Sequence, residues 1–129
     1  AGIEDWGLHD AGLQGLAFDL AASTLELNVR VRFREGATHD RLGRIKFRGL
    51  AWIVFDGGGR AEIPKGRGLW IDGGDGHPPQ SALSPPPTPS DAQPCWIYVA
   101  EWNGFIRVAA REVALEWLEP GDRPLAEGR

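Results

Sequence analysis

The chain contains 129 residues, with 14 Lys and Arg against 18 Asp and Glu, a formal net charge of -4 and 42% hydrophobic residues. This length permits one domain with its own hydrophobic core, and we interpret residues 1–129 as a single domain. The net acidity argues against nucleic acid as a partner, because general nucleic-acid binding depends on Lys and Arg meeting phosphate. Cys95 is the only cysteine, which excludes a disulfide scaffold and a cysteine-based zinc ribbon.

Membrane and export signals are also missing from the sequence. No apolar run reaches the roughly 18 residues that a membrane-spanning helix needs, and no charged-then-apolar segment opens the chain. We therefore expect no membrane partner and a cytoplasmic location. The oligomeric state stays open at this point.

Alternating residues predict the first two strands. Residues 15–20 and 24–34 both alternate with a period of two, which is typical of strands with one buried and one solvated face. The short stretch of small and polar residues at 21–23 indicates a hairpin between them. We interpret His9 and Asp10 as a turn before the first strand, with side chains that bond local backbone groups.

A third strand is predicted over residues 44–55. Apolar and cationic residues alternate over 44–48, whereas both faces are apolar over 50–55. We therefore expect the second half of this strand to be covered on both sides. The glycine-rich stretch 56–59 indicates a turn that ends it.

The middle of the chain is rich in turn-forming residues. Two short strand candidates lie at 61–63 and 69–71, and the glycines of 72–76 indicate a turn. Residues 73–94 contain seven prolines, so we interpret this segment as a long Pro/Gly-rich loop within the single domain.

A two-residue hairpin turn is predicted at Asn103-Gly104, because both of its positions favour positive φ. Residues 96–102 and 105–110 should pair antiparallel around it, with Ile and Val side chains on one face and aromatic side chains on the other. The expected cross-strand partners are Trp102 with Phe105, Ala100 with Arg107, Tyr98 with Ala109, and Trp96 with Arg111.

The strand that follows this turn contains an irregularity. Its apolar positions change from even to odd between Val108 and Val113, which a strict strand cannot do, so we expect a bulge or corner over 110–112. No segment shows a helical stripe of useful length. The strands and hairpins together favour a mainly β fold, either an antiparallel sandwich or a partly open barrel, with one long Pro/Gly-rich loop.

Catalytic and metal-binding signals are weak. The histidines, His9, His39 and His77, are 30 and 38 residues apart and form no compact ligand cluster. No evident base adjoins Cys95, and no Ser lies in a nucleophile elbow. We expect neither a metal nor another cofactor, and we favour a non-enzymatic protein over an enzyme. A metal-dependent hydrolase built on His9 and Asp10 is the least favoured alternative.

Two groups of residues are candidates for a binding surface. The first, which we call the cationic rows, lies on the second and third strands and would suit an acidic protein partner. Its alternative explanation is pairing within the chain, with Glu26, Glu112 or Glu116 as the neutralising carboxylates. The cationic rows consist of Arg30, Arg32, Arg34, Arg44, Lys46 and Arg48.

The second group is the aromatic hairpin face, formed by Trp96, Tyr98, Trp102 and Phe105, with Arg107 and Arg111 beside them. Aromatic residues next to Arg are typical of contact hot spots. The same residues are equally compatible with a covered face that belongs to the core, and the sequence leaves both explanations open.

Five short segments carry a family resemblance: Leu8-His9-Asp10-Ala11, Leu16-Ala17-Phe18-Asp19, Thr24-Leu25-Glu26-Leu27, Ile45-Lys46-Phe47-Arg48-Gly49 and Val113-Ala114-Leu115-Glu116. In these segments the chain resembles small bacterial β-rich proteins, some of which are grouped with the immunity proteins of polymorphic toxin systems. The resemblance implies a non-catalytic protein that binds and blocks a cognate toxin, and it assigns no catalytic residue.

The sequence therefore favours a non-enzymatic protein-binding module, with toxin neutralisation as its specific form. The alternative is a small-molecule-binding β-barrel in which the six tryptophans line a cavity.

Overall fold

The computed structural model describes residues 6, 8–31, 39–57, 69–75, 86–102, 104–119 and 123–124. Within these ranges the chain forms strands and one short 3-10 turn at Ala100–Trp102, and none of them contains a helix able to span a membrane. The strands are β1 (His9–Asp19), β2 (Thr24–Val31), β3 (His39–Gly57), β4 (Leu69–Asp75), β5 (Gln93–Val99), β6 (Gly104–Trp117) and β7 (Arg123–Pro124).

Six of these strands form a closed antiparallel barrel. The ring runs β1, β2, β3, β6, β5 and β4, and β4 pairs again with β1. Strand β7 is a short addition that pairs with the start of β3. The mainly β antiparallel class is confirmed, but the sandwich or partly open barrel is not. The ring closes because β3 pairs with β2 along one edge and with β6 along the other, and residues 43–48 have partners on both sides.

The barrel interior is a packed core. Except at one end of the barrel, inward-facing residues of the six barrel strands are almost completely buried, as the alternation predicts, and each buried large side chain contributes about 1.5–3 kcal/mol. The largest of these buried side chains are Phe47, Leu25, Leu27, Ile45, Ile71, Ile97 and Ile106.

The β1–β2 hairpin is confirmed, but the turn expected at His9-Asp10 is wrong. These residues begin β1, and the pairing with β4 shifts register between His9 and Ala11. Asp10 has a positive φ of 61°, which Asp tolerates better than most residues. Its carboxylate accepts a hydrogen bond of 3.1 Å from Trp70 Nε1 and so ties the bulge to β4.

Strand β3 contains a second bulge. Gly49 has a φ of 65°, and the pairing with β6 shifts register between Leu50 and Trp52. The extra residue, Ala51, lies opposite the junction of Ala109 and Ala110. An irregularity is therefore present beside the predicted position, but its extra residue belongs to β3 and not to residues 110–112 of β6. Strand β3 begins five residues earlier than expected, at His39. The turn expected at 56–59 is wrong for residues 56–57, which β3 includes, and residues 58–59 lie outside the described residues.

The glycine-rich turn expected at 72–76 is wrong as far as Asp75, because β4 continues to that residue with a register shift between Ile71 and Gly74. The Pro/Gly-rich loop is likewise shorter than 73–94, since β4 includes its first residues and β5 its last two. Residues 86–92 lie between strands. Residues 76–85, and the strand candidate at 61–63, lie outside the described residues.

The β5–β6 hairpin forms, but its predicted two-residue turn is wrong. Strand β5 ends at Val99, which pairs with Gly104, and the 3-10 turn intervenes. Asn103, the first residue of the predicted turn, lies outside the described residues. The observed register differs from the expected one by four residues, which is an even number, so each side chain keeps its predicted face. A tertiary contact fixes the turn, because Trp70 N–H donates to Glu101 Oε1 at 2.9 Å.

Candidate functional site

The described cationic residues of β2 and β3 lie on neighbouring strands, as expected. Asn28 is opposite Arg44, Glu26 is opposite Lys46, and Thr24 is opposite Arg48. The other two members of the cationic rows, Arg32 and Arg34, lie outside the described residues.

The β3 cations are paired with carboxylates of the chain itself. Lys46 Nζ lies 2.8 Å from Glu116 Oε2, Arg44 Nε lies 3.7 Å from Glu26 Oε2, and Arg48 Nη1 lies 4.0 Å from Glu112 Oε2. The hydrogen bond from Lys46 and its positive charge lower the pKa of Glu116 below the ordinary value. These are the three carboxylates that the sequence offers as the internal alternative, so this part of the sheet presents paired charges.

Arg30 is not on a solvated face. It is only 6% exposed, because Asp40 and the chain that follows β6 cover it. Its Nη1 donates to Asp40 Oδ1 at 3.0 Å, and its Nη2 donates to Glu119 Oε1 at 2.7 Å. Burial lowers the pKa of Arg30, but the hydrogen bonds to Glu119 and Asp40 outweigh burial, so the pKa lies above its ordinary value. We call Arg30, Asp40 and Glu119 the Arg30 clamp.

The aromatic hairpin face is a partly buried cluster. The Trp96 and Phe105 rings meet edge-on with centroids 5.4 Å apart, and the Tyr98 and Phe105 centroids are 5.1 Å apart. Arg107, which is paired with Trp96 across the strands, is only 3% exposed. The side chain of Trp102 lies outside the described residues. The described part of this face is therefore packed against its surroundings.

An exposed apolar groove, which the sequence reasoning did not identify, lies elsewhere. The large hydrophobic residues that are exposed among those described are Leu16 (40%), Phe18 (40%), Leu20 (80%) and Phe55 (48%). The last three line an open groove of about 440 Å³, and the rings of Phe18 and Phe55 meet edge-on at 5.8 Å. We call this groove the apolar mouth; its lining residues are Phe18, Leu20, Ser23, Leu50, Ala51, Trp52, Ile53 and Phe55.

The unequal lengths of the strands create the mouth. Strand β2 begins at Thr24, opposite Arg48, whereas β3 continues to Gly57 paired with β6. Phe18 is opposite the buried Leu25, so its side chain belongs to the interior side of the barrel. Phe55 is likewise opposite the buried Ile106. Interior side chains therefore reach solvent where β2 is missing.

Residues 50–55 were expected to be covered on both sides, and this expectation is wrong for the structure described. Phe55 is 48% exposed and the other five residues are only partly buried. The run of apolar residues on both faces was the available signal, together with Leu20 in the hairpin turn. Whether such a run is covered or exposed depends on whether β2 extends beside it, and the local sequence does not show where β2 begins.

The described residues offer little for catalysis. They contain no group of three or more His, Cys, Asp and Glu side chains that could hold a metal ion. Cys95 is buried on β5, and His9 Nε2 lies 3.6 Å from Asp10 Oδ2 on the surface. The side chain of His39, and His77 as a whole, lie outside the described residues.

The function must be argued from this geometry. The resemblance to immunity-type proteins stays a prediction. No protein-family model matches the chain, and no curated protein and no solved structure is significantly similar to it.

Proposed function

We propose that this protein is a non-enzymatic protein-binding module and that the apolar mouth is its contact surface. The observation that carries the proposal is the exposure of Phe18, Leu20 and Phe55 along one groove, whereas the other large apolar side chains of the described residues, apart from Leu16 two positions before Phe18, are buried or partly buried. With roughly 200 Å² for a fully exposed large side chain, the three exposed side chains that line the mouth present roughly 300 Å² to solvent. Apolar patches of this size often mark interaction sites.

A protein partner fits the mouth better than a small molecule does. A small-molecule pocket typically encloses about 70–90% of its ligand. The mouth is open, and three of its lining side chains are themselves 40% exposed or more. A small ligand would therefore remain largely in contact with water, whereas the surface of a protein partner would shield the mouth from water.

The small-molecule barrel is the second candidate, and the volume of the mouth favours it. A volume of about 440 Å³ is in the usual range for ligand pockets. The tryptophans support this alternative less, since Trp52 lines the mouth while Trp70 and Trp96 are placed on other parts of the barrel.

The partner has two possible descriptions. A cognate toxin is the partner that the family resemblance implies, and we expect it to contact the mouth. An acidic protein at the cationic rows is the other description. The pairing of Lys46 with Glu116 weakens this second description, because an incoming carboxylate would have to displace the one already bound.

Affinity enrichment from a lysate of the source organism tests the proposal with three forms of the protein. The mouth variant is Leu20→Ser with Phe55→Ser, and the matched control is Arg48→Ser with Glu112→Ser, which removes an exposed ion pair from the outer face. We expect one protein to be retained by the wild type and the control and to be reduced at least tenfold on the mouth variant. A protein lost from the control alone would move the binding surface to the cationic rows.

Native mass spectrometry of the protein isolated from its own cells decides between the two candidates. A stoichiometric non-peptide mass that disappears in the mouth variant would support the small-molecule barrel and contradict the protein-binding proposal.

A further inference from the structure

The apolar mouth runs along the edge of a strand. Consecutive residues of a strand point to opposite faces, and the mouth is lined by Trp52 and Ile53 together. Ile53 is opposite the buried Val108, on the interior side, and Trp52 therefore points outward. A groove can contact both faces of one strand only where it passes along the edge of that strand.

This edge of β3 has no strand partner among the described residues beyond Leu50. The pairing with β2 ends at Thr24 and Arg48. The hairpin turn then adds two final contacts: Leu50 N–H donates to Ser23 O at 3.2 Å, and Ser23 Oγ donates to Leu50 O at 3.3 Å. From residue 51 to residue 55 the backbone groups on this side have no strand partner within the described ranges, and such an edge is a template for another extended chain.

The area of the mouth excludes a second copy of the protein as a stable occupant. A stable protein complex buries about 800 Å² on each partner, and the three exposed side chains of the mouth supply less than half of that area. A short extended segment needs less contact area, because its backbone hydrogen bonds to the edge add affinity.

The charge beside the mouth selects a basic segment. Asp19 follows Phe18 at the exposed end of β1, and its Oδ1 accepts a hydrogen bond of 3.0 Å from Ala22 N–H. No ion pair is formed by Asp19 in the described part of the chain. Arg48, which lies opposite Thr24, the partner of Asp19 across the strands, is 4.0 Å from Glu112, and Arg111 is held by Asp91 at 2.9 Å. The carboxylate of Asp19 is therefore available to a Lys or Arg of the partner, and it disfavours an acidic peptide or an anionic membrane surface.

From these observations we infer that the mouth takes an extended, basic and apolar protein segment, which adds to the edge of β3 as a strand. Its apolar side chains lie against Phe18, Leu20 and Phe55, and its Lys or Arg lies beside Asp19. This inference rests on the proposed function and specifies the chemistry of the partner.

Selection from a library of random 12-residue peptides displayed on phage tests the inference without a known partner. The wild-type protein serves as bait, and the mouth variant Leu20→Ser with Phe55→Ser removes peptides that bind elsewhere. We expect the enriched peptides to share apolar residues at every second position and a flanking Lys or Arg. Enrichment of acidic peptides, or of none, would overturn the inference.

The best peptide is then synthesised in two methylated forms, and its dissociation constant is measured by fluorescence anisotropy. N-methylation of alternate amides on one edge of the peptide should weaken binding at least tenfold, whereas methylation of the other alternate set should change it less than twofold. Equal effects of both sets of methylations on the dissociation constant would refute strand addition. The proposed function would still be supported if the mouth variant fails to bind the peptide.

Asp19→Asn tests the charge. It should lower the affinity for the basic peptide three- to tenfold and leave unchanged the affinity for a peptide with Gln in place of its Lys or Arg. The control Glu112→Gln should change the affinity for neither peptide. An unchanged affinity of the basic peptide for Asp19→Asn would contradict the assigned role of this carboxylate. Flotation with phosphatidylserine vesicles completes the test, since binding that depends on Leu20 would assign the mouth to a membrane instead.

Discussion

The two ends of β2 have opposite surroundings. At Arg30 the strand is covered by the Arg30 clamp, where one carboxylate 10 residues away and another 89 residues away hold one buried guanidinium. At Thr24 the strand simply ends, and interior side chains of β1 and β3 reach solvent in the apolar mouth. One end therefore buries charge, and the other exposes apolar surface.

This difference separates stability from binding. A buried ion pair is strongly destabilising when one partner is lost, so the clamped end tolerates little change. Partly exposed side chains contribute less to stability and are free to contact a partner. Binding surfaces are often found in the less stable parts of a fold, and the mouth has this character.

Removal of the guanidinium from the clamp should have the largest effect. Arg30→Met removes the guanidinium that lies 3.0 Å from the Oδ1 of Asp40, a carboxylate that is only 1% exposed. We expect a loss of about 3–5 kcal/mol in the free energy of unfolding, measured in urea. The control Arg48→Met, on an exposed pair, should lose at most about 1 kcal/mol. Equal midpoints for the two variants would show that the clamp does not stabilise this end.

Two phenylalanines of β3 compare the core with the mouth directly. Phe47 is completely buried and Phe55 is 48% exposed. Phe47→Ala should cost about 3–5 kcal/mol through the cavity that it leaves, and Phe55→Ala should cost at least about 2 kcal/mol less because part of its area is already in water. If both changes lower the urea midpoint equally, the mouth is part of the core and not a contact surface.

Much of the fold was predictable because strand faces depend on local alternation. Leu25 and Leu27, Ile45 and Phe47 are buried as their positions predict. The register of β5 on β6 was not predictable in the same way, because Glu101 fixes the connection through Trp70, a residue 31 positions earlier in the chain.

The candidate site was harder to predict for the same physical reason. The burial of Arg30 depends on Glu119, which is 89 positions away, and the exposure of Phe55 depends on where β2 begins. Alternation reports which face a side chain is on, but not whether a distant segment covers that face. The outward position of Arg30 was therefore predictable from the sequence, but its burial by Asp40 and Glu119 was not.

A substitution at the β3 bulge beside the mouth should have an intermediate effect on the free energy of unfolding. Gly49 has a φ of 65°, and a Cβ there would lie 3.1 Å from Arg111 Cβ. Gly49→Ala should therefore lose about 1–2 kcal/mol through left-handed backbone strain. Gly15→Ala is the matched control, because its new Cβ would meet only the Asn28 side chain, at 3.3 Å, and its φ is not positive. Thermal unfolding that ranks Gly15→Ala as the more harmful change would contradict the strain at the bulge.

The smallest predicted effect on stability comes from the Lys46–Glu116 ion pair, which lies between the Arg30 clamp and the apolar mouth. The fold lowers the pKa of Glu116, chiefly through the hydrogen bond from Lys46, so this pair stabilises the protein at neutral pH and the contribution is lost as the pH falls through the lowered pKa. Lys46→Met should move the pKa of Glu116 upward, although Arg44 and Arg48 still lower it somewhat. Carbon-13 NMR titration of the carboxylates measures the change, and Arg111→Met, which breaks the separate pair with Asp91, is the control. If Glu116 titrates identically in wild type and Lys46→Met, Lys46 is not committed to it in solution. The cation would then be available to an acidic partner, and the paired face of β3 would have to be counted with the mouth as a binding surface.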